Sequence, residues 1–161
     1  MKSILFSGCA ALCFIAPAHA QSADTEEARQ DTISVVGLRP VAAEDVTASV
    51  SILSAADLAV RDSEFIADQL RAVPGLGISR SGTQSGLTQI RIRGAEANHT
   101  LVLLNGIEVS DAVNGETDFG LFSGLNLSRI EVARGEQSAL YGSDAVGGVI
   151  NLVTADATEL N

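Results

Sequence analysis

Few side chains in this 161-residue sequence are of types that do chemistry. Beyond residue 20 there is one histidine, His99, and there is no cysteine or lysine. A zinc site or a Ser-His-Asp triad would rest wholly on that histidine. No Gly-x-Ser-x-Gly elbow occurs, and the glycine-rich stretch 142–148 lacks the lysine that follows a phosphate-binding loop. That stretch reads as close backbone packing instead. Asp111, Glu116 and Asp118 could offer oxygens to a hard cation, but a solvated acidic loop is the stronger account of them. No catalytic constellation is present, so an enzyme is not expected, nor a metal or cofactor. What remains is recognition chemistry. Arg93 and Arg134 each precede a glycine at the end of an alternating run. A guanidinium there can engage a carboxylate bidentately. Without a fixed partner, such an arginine contributes only about 0–1 kcal/mol.

The elements that must position these residues follow from periodicity. Residues 46–53 alternate, with Val46, Ala48, Val50 and Ile52 on one face, as in a half-buried strand. Ser54 followed by Asp57 starts a short helix. A second helix covers about residues 64–72 and stops at Pro74-Gly75. Residues 77–80 form a short strand, and 81–89, rich in Gly, Ser, Thr and Gln, a flexible loop. Residues 90–93 alternate again. Two apolar runs flank Asn105-Gly106, the signature of a tight hairpin turn. A polar loop (110–118), a helical turn (121–125), a strand (128–133), another helical turn (138–141) and a closing strand (149–153) follow. Without regular strand-helix alternation, the expected class is α+β: a small mixed β-sheet with short helices and long apical loops.

Residues 1–20 read as a signal peptide: a positive start at Lys2, an apolar run, and Ala18-His19-Ala20 as a small-x-small cleavage site. Both cysteines, Cys9 and Cys13, lie inside it, so no disulfide is expected in the exported chain. The formal charge of −10 disfavours nucleic acid as a partner. The few aromatic residues cannot build the girdles of a membrane barrel. Residues 21–45 are expected to be a flexible segment, 46–154 a domain and 155–161 a short tail. Within the flexible segment, Asp31, Thr32, Ile33, Ser34, Val35, Val36 and Gly37 favour an extended chain. On residue physics alone, an ordinary first strand of the domain is the simpler reading of that run.

Five motifs occur in order between residues 71 and 154: RAVPGL at 71–76, IRIRG at 90–94, LVLLNGIEV at 101–109, IEVARG at 130–135 and SALYGSDAVGGVINLVT at 138–154. Together they resemble the plug domain of TonB-dependent outer-membrane receptors. The last spelling, and the Ala-Asn-His before the hairpin, look most like the cobalamin receptor branch. The resemblance implies the receptor plug fold. It also implies that DTISVVG at 31–37 is a TonB box, an extended, unpaired strand that adds to an edge of TonB. It implies further that Arg93 and Arg134 lock the plug to barrel glutamates. Both arginines are then expected to emerge together from neighbouring strands, exposed and without carboxylates of this chain. Apical loops matching 79–89 and 110–117 would touch a small ligand such as cobalamin or a ferric siderophore, through Arg80, Ser81, Thr83, Gln84, Ser85, Asp111 and Asn114. The seven residues after Thr154 are too few for one barrel strand. The barrel is therefore expected to be missing from this chain. Location would be the outer membrane if the plug is joined to a barrel and the periplasm if it stands alone. A free-standing periplasmic protein that binds TonB or ligand is the alternative.

Overall fold

The computed structural model describes residues 49–155, together with two short strands, β1 (Thr32–Ile33) and β2 (Val41–Ala42). These two pair antiparallel over two residues. Next in the chain come β3 (Ser49–Ser54), α1 (Ala55–Arg61), α2 (Ile66–Leu70), β4 (Leu76–Arg80) and β5 (Thr88–Ile92). They are followed by β6 (Thr100–Leu104), β7 (Ile107–Glu108), β8 (Leu127–Arg134), α3 (Ser138–Tyr141) and β9 (Gly148–Thr154). The expected α+β class holds. The main sheet has five strands in the order β3-β8-β9-β6-β7 and is mixed, because β6 and β9 run parallel while the other pairs are antiparallel. β4 and β5 form a separate antiparallel ribbon.

Local chemistry explains several boundaries. Ser54 Oγ accepts from the Asp57 N–H at 3.3 Å, and the Asp57 carboxylate accepts from the Ser54 N–H at 2.9 Å, so a complete capping box starts α1. The hydrogen bonds from Ser54 hold the Asp57 carboxyl below its ordinary range. Asn105 and Gly106 have φ of +52° and +82°, as a two-residue hairpin of the expected type demands. Other elements differ from expectation. α2 is only five residues long, starts without a side-chain cap, and follows Phe65, which bridges Ser123. The helical turn expected at 121–125 lies instead at Phe119–Leu121, where Asp118 caps the Gly120 N–H at 2.9 Å.

The sheet has two buried faces. On one, Val102, Ile130, Val132, Ile150 and Leu152 are covered by Leu58 of α1, Ile66 and Leu70 of α2, and Ile90 and Ile92 of the ribbon. Sheet and covering elements thus form two layers around one core. On the other face lie Leu101, Leu103, Ala133 and Val149, with Val50, Ile52 and Tyr141 packed against them. β3 therefore serves both faces, since Leu53 enters the main core. That differs from the half-buried pattern expected of it.

Candidate functional site

The ribbon carries the candidate residues at its two ends. At its tip, Arg80 pairs with Thr88, and residues 81–87 connect them. Thr88 and Gln89, expected in the loop, begin β5. Thr88 is fully buried, donates its hydroxyl to the Gly86 carbonyl at 2.8 Å and gives its N–H to Asp118 Oδ1 at 2.9 Å. Gln89 Nε2 donates to Glu116 Oε2 at 2.6 Å. These long-range bonds bring the tip and the 110–117 loop to one end of the domain. The sequence offers Asp118 only as one carboxylate of an acidic loop, and Gln89 only as the end of an apical loop. An Asp two residues before a glycine is the one cue to the cap.

The candidate ligand residues divide at this end. Ser81, Thr83, Gln84 and Ser85 are exposed. Asp111 and Asn114 are also exposed but shape their own loop. Asp111 Oδ1 accepts from the Val113 and Asn114 N–H groups, and Asn114 Oδ1 accepts from the Glu116 N–H. Arg80 is occupied inside the chain. It donates to Asp68 Oδ1 at 3.2 Å and to Thr88 Oγ1 at 3.2 Å, and its guanidinium lies 5.9 Å from the Phe65 ring centre. Burial pushes the Asp68 carboxyl up. The hydrogen bonds from Arg71 and Arg80 outweigh that and hold it below its ordinary value.

At the opposite end of the ribbon the chain turns at Gly75, whose φ is +83°. Five residues of strand separate the two ends, about 16 Å. Arg93 and Arg134 meet here. A Cβ built on Gly75 would lie 3.8 Å from the side-chain stem of each. They do not come from neighbouring strands of one sheet, as expected. Arg93 follows β5 of the ribbon, whereas Arg134 ends β8 of the main sheet. The intervening turn brings them together. Arg93 is exposed, has φ of +53°, and donates its N–H to the Gly75 carbonyl at 2.7 Å. Arg134 is half-buried. It donates Nε to the Ser49 carbonyl at 3.3 Å, Nη1 to the Pro74 carbonyl at 2.7 Å and Nη2 to Ser51 Oγ at 2.8 Å. Among the described residues, neither arginine has a carboxylate partner.

Ser49 begins β3, and residues 31–37 precede it in the sequence. Of the candidate box, Thr32 and Ile33 lie in β1 and pair with Ala42 and Val41. Asp31, Ser34, Val35 and Val36 fall outside the described residues. The expectation of an unpaired backbone therefore does not hold at Thr32 and Ile33. An extended segment satisfies its N–H and C=O groups on the nearest extended neighbour.

A further polar group was missed from sequence. Glu131 is fully buried on the second sheet face, beside Ile130 and Val132 of the core face. It accepts from Arg129 Nε at 2.7 Å and from Asn151 Nδ2 at 3.3 Å. Asn151 Oδ1 in turn accepts from the Gly106 N–H at 3.2 Å. Burial, with the Glu131 charge second, raises the Tyr141 hydroxyl pKa. A polar cleft of about 430 Å³ between α1 and residues 125–127 gathers none of the candidate residues. Among the described residues, no cluster of three or more His, Cys, Asp or Glu could hold a metal.

The sequence model of the TonB-dependent Receptor Plug Domain matches residues 42–149. The chain belongs to that family. Curated relatives include the vitamin B12 transporters BtuB of Photobacterium profundum, 34% identical over 96% of this chain, and of Vibrio vulnificus, 35% identical over 97%. The plug chain spans 25% of the length of each. Among solved structures, the ferric enterobactin receptor PfeA of Pseudomonas aeruginosa is 35% identical over 70% of the chain, with a TM-score of 0.55. The ferric yersiniabactin uptake receptor FyuA of Yersinia pestis is 26% identical over 68%, also with a TM-score of 0.55. The plug corresponds to 18% and 17% of those two chains.

Proposed function

We propose that this plug gates a TonB-dependent receptor for a scarce ligand, cobalamin or a ferric siderophore, and couples to TonB through residues 31–37. The observation that carries the reading is the layout of the two ends. Exposed hydroxyl and amide groups of residues 81–85 lie beside the 110–117 loop at one end. Arg93, Arg134 and the point where the N-terminal segment joins lie at the other. A plug needs that polarity, with ligand sensed on one side and force received on the other. The named relatives supply the ligand classes: two are called vitamin B12 transporters, and two are receptors for ferric enterobactin and ferric yersiniabactin.

In this reading Arg93 presents its guanidinium to a glutamate of the surrounding barrel, where a bidentate pair fixes orientation. Arg134 stands beside it. Ser81, Thr83, Gln84 and Ser85 meet the ligand, with Asp111 and Asn114 shaping the adjacent loop. Arg80 acts behind them, holding the tip to α2. The box reaches TonB by strand addition. A two-residue ladder such as β1-β2 is marginal in water, so it yields readily to a longer pairing. The reaction is transport, and location is the outer membrane when the plug is within a barrel.

Calorimetry of the full chain against the C-terminal domain of TonB tests the coupling. The account expects binding, weakened strongly by Val35→Pro, because proline lacks the N–H and breaks strand pairing. Equal binding by the two chains would overturn strand addition at this box.

A further inference from the structure

Three segments far apart in sequence meet on one guanidinium. Arg134, the last residue of β8, reaches back to Ser49 and Ser51 of β3 and across to Pro74 in the turn before β4. β3 is an edge strand, bonded to β8 alone in the main sheet. Its first residue, Ser49, faces Arg134 in the register, and each later pair lies farther from the chain's point of arrival. A disturbance travelling down the N-terminal segment therefore meets the Arg134 contacts before the rest of the β3-β8 ladder.

We infer that Arg134 is a catch that senses whether β3 is seated. While β3 is in place, two of its three oxygen acceptors come from that strand, one of them a side-chain hydroxyl. When β3 leaves, the guanidinium keeps Pro74 alone. It then exchanges its β3 acceptors for water and stands beside Arg93, because both stems flank Gly75. Seating of β3 and the state of the arginine end are thus linked, and the linkage is reciprocal. Mutation of the catch loosens β3, and removal of β3 frees the catch. Among the described residues, Arg93 bonds Gly75 and lies beside Gly135, and neither is on β3. The role as a release catch rests on the reading that the N-terminal segment is pulled. The link between Arg134 and β3 does not.

Hydrogen exchange of the full chain tests the link without TonB or a barrel. Arg134→Ala is expected to speed exchange of the β3 amides that bond β8 by about fivefold, with the β6-β9 amides unchanged, because local opening is set by local contacts. Ser51→Ala, which removes one acceptor, is expected to give a smaller rise confined to β3, and Arg93→Ala none. If Arg134→Ala unfolds the chain, Ser51→Ala decides. Exchange in β3 equal to wild type, or a rise spread evenly over β3, β6 and β9, would overturn the catch. If the exchange result holds while the chain fails to bind TonB, the catch stands and the coupling reading falls.

Discussion

Two arginines close two strands of this plug, each followed by glycine, and the fold treats them oppositely. After β5 the backbone at Arg93 swings to φ of +53°, a conformation that costs an L-residue about 1 kcal/mol, and carries its side chain out to solvent. At the end of β8, Arg134 remains in strand geometry and lies across β3 and the Pro74 turn, with three oxygen partners. The same two-letter spelling thus yields one outward cation and one internal tie. Arg80 supplies the reference for a plug arginine that does have a carboxylate, namely Asp68 at 3.2 Å.

The largest expected effect comes from the other arginine of β8. Arg129 pairs with Glu131, and that carboxylate is fully buried. Glu131→Ala removes the buried carboxylate that accepts from Arg129, so urea denaturation should show a loss of roughly 3 kcal/mol. A loss below that of Arg134→Ala would reverse the ranking of the two β8 arginines. Next comes Gly75, which sits between the Arg93 and Arg134 stems at positive φ. Gly75→Val forces a β-branched residue into a resisted backbone angle between the two stems, at a cost of about 2 kcal/mol in the same assay. A neutral result would mean that the two arginines are not held together by this turn.

The effect of acid on Asp68 is smaller. Its folded pKa lies below the unfolded value, so the stability it contributes is complete above the unfolded pKa and is lost as pH falls through the folded one. The melting temperature should therefore fall below about pH 4. Asp68→Asn should lower it at neutral pH and reduce this acid dependence, whereas Arg93→Ala should leave the dependence as it is. An unchanged acid profile in Asp68→Asn would remove Arg80 as the reference case.

How much of this was legible in the sequence depended on contact range. The Asn105-Gly106 turn, the Ser54-Asp57 box and the extended run of β8 are local, and each formed where the residues predicted. Family motifs in order gave the fold, because they mark the strands and turns that build the sheet. Thr88 and Gln89 were hidden in a polar stretch, since what makes them strand is Asp118 and Glu116, 30 and 27 residues away. In an alternating strand Glu131 falls on the face opposite Ile130 and Val132. Its burial follows from a second covered face that periodicity does not reveal. Arg134 was expected to await partners outside the chain. Its acceptors lie up to 85 residues earlier, and two of the three are backbone carbonyls, which carry no spelling at all.

The division of labour between the two arginines is tested most directly by the thermal midpoints of Arg93→Ala and Arg134→Ala, measured on the full chain at neutral pH. Loss of the Arg134 bonds, at about 1 kcal/mol net, should lower the midpoint by about 5 °C. Arg93→Ala should stay within about 1 °C of wild type, as for an exposed side chain without a fixed partner. Equal midpoints for the two variants, or a larger fall for Arg93→Ala, would contradict the account.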